Sequence, residues 1–553
     1  MTPETLAAAV RSCLLAAVES GELALEVPGS VVVERPRNRE HGDWATNVAL
    51  QLAKRAGRPP REVAEVLAAR LREVDGVSGV DVAGPGFLNV RVDAASAGGL
   101  ARSVVEAGEA YGRNETLAGE VVNLEFVSAN PTGPLHIGHT RWAALGDSLA
   151  RLLRAAGAVV TTEFYVNDAG AQMDRFGASV LARAAGRPVP EGGYNGEYVA
   201  GLAEQVLREH PDLLDLPEDE AVATARDTGY RLQLAEIEQT LADFDVHFDV
   251  WFSERTLHGS GAVEKAVARL REQGHVDDTD GAVWLRTTDF GDDKDRVMVR
   301  ANGEPTYFAA DAAYYLSKKD RGFLRKVYLL GADHHGYVKR LQAIAACAGD
   351  DPATSIEVLI GQLVDIGGAR MSKRAGNIIE LRDLVEWIGK DAVRYSLARY
   401  PADSPLSLDA EEMRKQTNDN PVFYVQYAHA RTAAVARNAA TAGVRREDGF
   451  DASLLDHPSE EVVLAALAQF PGVVAQAAQL REPHRVARYL EDLAGSYHRW
   501  YDQQRRVVPG VGPDGEVEAV TDAHRTRLWL NDAVRTVLAN GLQLLGVSAP
   551  ERM

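Results

Sequence analysis

Apolar residues recur at helical spacing through residues 137–156, where Trp142, Leu145, Leu149, Leu152 and Leu153 share one face. Gly157 is placed to end that helix. Residues 121–127 just ahead, Val-Val-Asn-Leu-Glu-Phe-Val, read as a buried strand, and residues 159–166 read as the next strand. Strand, helix, strand is a βαβ unit and implies a parallel sheet. In the first hundred residues amphipathic helices alternate with β-rich runs at 31–33 and 87–92, the second preceded by the turn Ala83-Gly84-Pro85-Gly86. Residues 186–295 are turn-rich and acidic around an amphipathic helix near 230–244, and read as an insertion. The α/β texture resumes at Tyr307-Phe308-Ala309, in a strand over 327–330 that runs into Gly331, and in another over 356–360. Beyond about 390 the helical period dominates, with interruptions expected near Pro458, Pro471, Pro483 and Pro509–Pro513. The expected organisation is a small α+β domain over 1–105, an α/β domain over 106–410 carrying the insertion, and an all-α bundle over 411–553.

Composition narrows the class. The chain has 553 residues, 46% hydrophobic and 25% charged, which excludes collagen-like and disordered proteins and allows three to four domains. Cys13 and Cys347 are its only cysteines and lack metal-site spacing, which points to a reducing cytoplasm rather than a disulfide scaffold or thiolate zinc site. No apolar run reaches the roughly 18 residues of a membrane helix, and the first residues lack the basic start and apolar stretch of a signal peptide. A net charge of −20 argues against nucleic acid until its distribution is considered. Residues 1–120 sum to only −4 and 411–553 to −3. Basic groups at both ends, such as Lys54, Arg55, Arg58 and Arg61 or Arg481, Arg485 and Arg488, could therefore meet phosphates or simply be solvated helix faces.

Two motifs carry chemistry. Between the buried strand and its helix lies Pro134-Leu135-His136-Ile137-Gly138-His139. Composition alone would produce an H-x-G-H about 0.03 times in this chain. A helix N-terminus behind a strand offers free N–H groups to an anion, and two imidazoles there can donate to phosphate oxygens. Some 230 residues later, Gly367-Gly368-Ala369-Arg370-Met371-Ser372-Lys373-Arg374-Ala375-Gly376 places three cations in a glycine-flanked loop, suited to a polyphosphate. The acidic runs at 277–280 and 292–295 read as solvated surface rather than metal sites.

HIGH followed far downstream by an MSK loop resembles the class I aminoacyl-tRNA synthetases. The stretch EFVSANPTGPLHIGHTR at 125–141 resembles the arginyl-tRNA synthetase family specifically. Further likeness lies in HGDWATNVALQLA (41–53), AGPGFLNV (83–90), NPVFYVQYAHAR (420–431) and LLGVSAPERM (544–553), so it spans the whole chain. The resemblance implies a Rossmann-type doubly wound parallel-sheet catalytic domain between a small N-terminal α+β domain and a C-terminal all-α helical bundle. It implies activation of L-arginine by ATP, with Mg2+, and transfer to the cognate arginine tRNA, in a cytoplasmic enzyme expected to be monomeric. His136, His139 and Lys373 would be catalytic. Gly138, Asp333, His334, His335, Met371 and Ser372 would join them around ATP, with no metal site built from protein ligands. A histidine metal site is the alternative for Asp333, His334 and His335. Ser128, Asn130, Tyr307 and Asp311 would take arginine, whose planar, permanently charged fork needs a carboxylate. No Lys or Arg stands at 307 or 315 to pair with Asp311 along its helix. Phe87 and Asn89, and at the other end Tyr424, Tyr427, Tyr501 and Met553, would meet tRNA. Arg370 and Arg374 replace the outer residues of the family's KMSKS pattern. A small-molecule nucleotidyltransferase shares H-x-G-H but leaves both end domains unexplained.

Overall fold

The structure is a computed structural model that describes residues 3–36, 38, 41–362, 364–367, 379–503, 506–511 and 516–553; the side chains of residues 4, 94–96 and 333–335 lie outside the description. In the N-terminal region, β1 (Trp44–Thr46), β2 (Val77–Ala83) and β3 (Phe87–Val92) form an antiparallel sheet in the order β1-β3-β2. Helices Val48–Ala56 and Pro60–Leu71 accompany it. The run 31–33, expected as a strand, is not one. Only Glu34 bridges to Ala45, because β-branched residues make a strand only where a partner and a half-buried face are supplied.

The central sheet holds β4 (Val121–Glu125), β5 (Val159–Val166), β6 (Val250–Ser253), β10 (Arg325–Gly331) and β11 (Ile356–Gly361), all parallel, in the order β11-β10-β4-β5-β6. From β4 the chain winds outward through β5 and β6, then returns to the other side of β4 to lay down β10 and β11. The switch point therefore lies between the carboxyl ends of β4 and β10, where open α/β sheets bind ligands. The stretch read as an insertion thus supplies β6 to this sheet, besides its helices Glu197–Glu209 and Glu218–Asp243. It also holds β7 (Val276–Thr279) and β8 (Ala282–Leu285), which form a small antiparallel sheet with β9 (Arg296–Val299) just beyond it. A further pair, β12 (Val364–Gly367) with β13 (Leu406–Asp409), is parallel and was not foreseen.

Helix Ile137–Ala155 runs behind the sheet, buried over most of its length. A Cβ on Gly146 would stand 2.2 Å from the ring of Phe126, so only glycine allows this approach to the end of β4. The C-terminal bundle comprises Pro421–Thr441, Pro458–Leu480, His484–Asp502 and Asp522–Leu544. By length and composition Pro458–Leu480 could cross a membrane, contrary to expectation. Here it is a bundle helix, with Val463, Leu464, Leu467, Phe470 and Val474 buried. Nor does Pro471 interrupt it. Proline has no N–H to offer the carbonyl of Leu467, and that carbonyl accepts instead from the Tyr111 hydroxyl at 2.9 Å. Buried Arg394 ties the bundle to helix Ile137–Ala155, bonding the Asp147 carboxylate and, at 3.3 Å, the carbonyl of Leu545.

Candidate active site

The histidine turn is built at the end of β4. Val127 and Ser128 take positive φ values of 67° and 42°, ending the strand abruptly. Such a conformation in a β-branched residue costs about 1–3 kcal/mol and is concentrated at functional sites. Downstream, His136 is the N-cap of helix Ile137–Ala155: its Nδ1 accepts the N–H of Gly138 at 3.1 Å, and Nδ1 of His139 accepts the N–H of His136 at 3.3 Å. Burial lowers the pKa of both rings, that of His139 down to about 3 with help from His136. Both are therefore neutral at physiological pH, and with each Nδ1 accepting, each proton sits on Nε2. The turn presents two neutral N–H donors at a helix N-terminus, with ring centroids 3.9 Å apart. A Cβ on Gly138 would stand 2.9 Å from the His136 ring, so glycine here also preserves the cap.

Long-range bonds join this turn to the segments flanking 368–378. Ile137 donates to the carbonyl of Ile379 at 3.1 Å and Leu381 to that of Leu135 at 2.8 Å, forming a bridge between His136 and Glu380. On the other flank, Arg141, 1% exposed, donates to the carbonyls of Gln362 (2.9 Å), Ser404 (2.9 Å) and Pro401 (2.8 Å). These carbonyls lie just ahead of β12 and β13. Met371, Ser372 and Lys373 themselves lie outside the described residues. So do the side chains of Asp333, His334 and His335, whose backbone forms the short 3-10 helix Ala332–Tyr337 at the carboxyl end of β10.

Across β4 the site changes sign. Thr306 caps helix Tyr307–Asp320, and Tyr307, 70% exposed, stands at a cavity of about 480 Å³ also lined by Glu254, His258 and Arg300. Asp311 follows one turn later. Burial, reinforced by the Glu254 and Glu125 carboxylates and opposed by a hydrogen bond from Tyr337 and the charge of Arg340, pushes its carboxyl up to about 7. The same helix is fastened to the sheet by charge. Lys318 meets Glu125 at 2.6 Å, Arg321 meets Glu163 at 2.6 Å, and the Tyr314 hydroxyl bonds both glutamates. Residues 307, 311, 314, 318 and 321 follow the 4-3 spacing of one helix face. Ser128 is engaged within the protein, donating to Glu125 at 3.3 Å and accepting the N–H of Tyr165 at 3.1 Å, while Asn130 is exposed. Glu254, 4% exposed, was missed; its signal, a lone acid after a short apolar run, is too common to single out.

The remaining candidates sit far from this crevice. Phe87 is 42% exposed while Asn89 is buried, and both line a cavity of about 770 Å³ with His41, Asn47 and Gln51. In the bundle, Arg431 donates to the Tyr427 hydroxyl at 2.9 Å and lies 4.8 Å from the ring centre of Tyr501. Tyr424 packs on His498, and Met553 is exposed. Bonds from His429 to the carbonyl of Pro550 (2.8 Å) and from Gln426 to that of Ser548 (3.0 Å) lash the last residues to helix Pro421–Thr441.

A doubly wound parallel sheet with this turn at its switch point is the catalytic architecture of class I aminoacyl-tRNA synthetases, and residues 103–184 and 217–419 match the family model described as tRNA synthetases class I (R), catalytic domain. Residues 4–92 match the arginyl tRNA synthetase N terminal domain, and 425–553 the DALR anticodon binding domain. Arginine–tRNA ligases of Pseudarthrobacter chlorophenolicus and Paenarthrobacter aurescens are each 67% identical over the whole of both chains. The solved Thermus thermophilus arginyl-tRNA synthetase shares the fold over the whole of both chains, with a TM-score of 0.76 at 24% identity. The chain belongs to the arginyl-tRNA synthetase family. It is an enzyme that aminoacylates tRNA with arginine, and ATP is a substrate of its class.

Proposed function

We propose that the two sides of the crevice divide the substrates by charge. The observation that carries this is the contrast of neutral, proton-donating His136 and His139 with the carboxylates of half-buried Asp311 and buried Glu254 across β4. ATP phosphates lie on the histidine turn with Gly138 beneath the nucleotide. Asp333, His334 and His335 line the nucleotide side, with Met371, Ser372 and Lys373 reaching the phosphates. Mg2+ would accompany ATP and offset the charge of its phosphates, with no protein ligands assigned to it. Arginine enters past Tyr307 with its guanidinium toward Asp311 and Glu254, and its α-amino and carboxylate groups toward Ser128 and Asn130.

The arginine carboxylate attacks the α-phosphorus of ATP, forming arginyl-adenylate and expelling pyrophosphate. The terminal ribose 2′-hydroxyl of tRNA then attacks the carbonyl carbon and AMP leaves. Neither step needs a covalent enzyme intermediate; Lys373 and the histidine N–H groups stabilise charge developing on phosphate. Phe87 and Asn89 contact the tRNA elbow, and Tyr424, Tyr427, Tyr501 and Met553 the anticodon loop. The domains follow the limits 1–105, 106–410 and 411–553, and the enzyme works as a cytoplasmic monomer. Anticodon binding favours the catalytic arrangement, so that activation depends on tRNA. Arginine-dependent exchange of pyrophosphate into ATP, measured with each amino acid and with or without tRNA, tests this. Exchange is expected with arginine only, and only when tRNA is present; truncation near residue 415 should abolish the stimulation. Equal exchange without tRNA would overturn the coupling, and exchange with another amino acid would overturn the substrate reading.

A further inference from the structure

Glu254 is one wall of the cavity beside Tyr307, and what holds it is a residue outside that cavity's lining. Asp168, two residues beyond β5 and 1% exposed, accepts three hydrogen bonds: from the Tyr230 hydroxyl (2.8 Å), the Ser253 hydroxyl (2.6 Å) and the backbone N–H of Arg255 (3.1 Å). Its own carbonyl accepts from Nε of Arg255 at 2.8 Å. A single carboxylate thus grips the residues on both sides of Glu254, whose own N–H donates to the carbonyl of Val166 at 3.1 Å. The side chain of Glu254 is then aimed by His258, 3.7 Å away, and by a hydrogen bond from Tyr165. Tyr230 belongs to helix Glu218–Asp243, and its ring lies 4.7 Å from the Arg255 guanidinium. Burial holds the Glu254 carboxyl above the usual range, and the charge of Asp168 adds to that, against the lowering effect of His258 and Tyr165. A cation is the ligand that such a group favours.

We propose that Asp168 is a positioning residue for amino-acid selection: it fixes Glu254 as the second arm of a two-carboxylate clamp, with Asp311, that accepts the planar guanidinium and rejects the point charge of lysine. The proposal rests on the reading that arginine's guanidinium lies between Asp311 and Glu254. Two carboxylates held apart suit a rigid fork of donors, whereas a flexible ammonium satisfies one of them and leaves the other unpaired. A clamp whose second arm swings loses that distinction.

The test is a double-mutant cycle on the full-length enzyme, with aminoacylation kinetics for arginine, ATP and lysine and a melting temperature for each variant. Glu254→Gln and Asp168→Asn should each raise the arginine KM about tenfold or more, with the ATP KM within about twofold. Asp168→Asn should also narrow the preference for arginine over lysine. If Asp168 acts through Glu254, the double variant should be no worse than Glu254→Gln by more than about twofold. Should Asp168→Asn fail to fold, Tyr230→Phe and Ser253→Ala each remove one donor, and each should raise the arginine KM about two- to threefold at near-normal melting temperature. Multiplying effects in the double variant, or an unchanged arginine KM in Asp168→Asn beside a raised one in Glu254→Gln, would overturn the positioning role alone. An unchanged arginine KM in Glu254→Gln would overturn the clamp itself.

Discussion

In the function proposed above, the two sides of β4 bind opposite charges by opposite means. On the phosphate side the histidine turn carries no net charge: its donors are Nε2–H groups and a helix N-terminus, and its geometry comes from backbone N–H groups donating to the two Nδ1 atoms within residues 136–139, braced by the backbone bonds to Ile379 and Leu381. Across the strand, Asp311 is half-buried and Glu254 buried, their carboxyls are held above the usual range, and distant parts of the chain hold them in place. An anion site can be made from neutral groups already oriented by a helix. A site for a guanidinium needs charge, and burying that charge takes a scaffold.

Breaking the carboxylate side should have the largest effect. Asp311→Asn leaves the guanidinium beside a neutral amide, and an unpaired buried charge costs about 3–5 kcal/mol. The arginine KM should rise by roughly two to three orders of magnitude with ATP affinity spared; an unchanged KM would move the guanidinium to another acid. Next comes the phosphate side. Lys373→Ala should lower the rate of adenylate formation by about 10²–10³ while ATP binding changes little, as measured by single-turnover kinetics and ATP titration. Equal losses in both would make Lys373 a ground-state anchor.

The gentlest test separates the two sides by pH. Asp311, with a carboxyl near 7 when the pocket is empty, must lose a proton to pair with the guanidinium. The arginine KM should therefore rise as pH falls below 7, approaching tenfold per unit, with a proton released on binding. His139, lowered to about 3, should contribute no step to the pH dependence of the ATP KM between pH 6 and 8. The same shifts act on stability with opposite signs. Folded Asp311 holds a proton that the unfolded chain loses near pH 4, so its contribution to stability declines as pH rises from about 4 to 7. The histidines, lowered on folding, stabilise above about 6.5 and lose that contribution as pH falls. Calorimetry with and without arginine would show the ligand relieving the first effect.

What local pattern encodes was legible in the chain. The strand–turn–helix around His136 and His139, the helix from Ile137 and strands β5, β10 and β11 all stand where the apolar periodicity put them. Tyr307 and Asp311 were singled out by the family resemblance, and the structure sets them one turn apart at the start of helix Tyr307–Asp320. The misreadings share one cause. Residues 31–33 have β-branched side chains but no partner strand beyond the Glu34 bridge. Pro471 ought to break a helix, except that Tyr111, 360 residues earlier in the chain, takes over the freed carbonyl.

The sequence by itself therefore pointed to the class of chemistry through a helix start suited to anions and a cationic loop, and its family resemblance added a carboxylate one helical turn from a tyrosine. Only the tertiary structure decided which acids share the pocket and what aims them. The charge of Glu254 acts on Asp311 because β6 pairs beside β5 and sets Glu254 at its end. Asp168 grips residues 253 and 255 from 85 and 87 positions away. Arg141 binds carbonyls more than 220 residues downstream. Such contacts leave no periodic trace, because a buried polar group needs only some partner within hydrogen-bonding distance, and the fold alone brings that partner there.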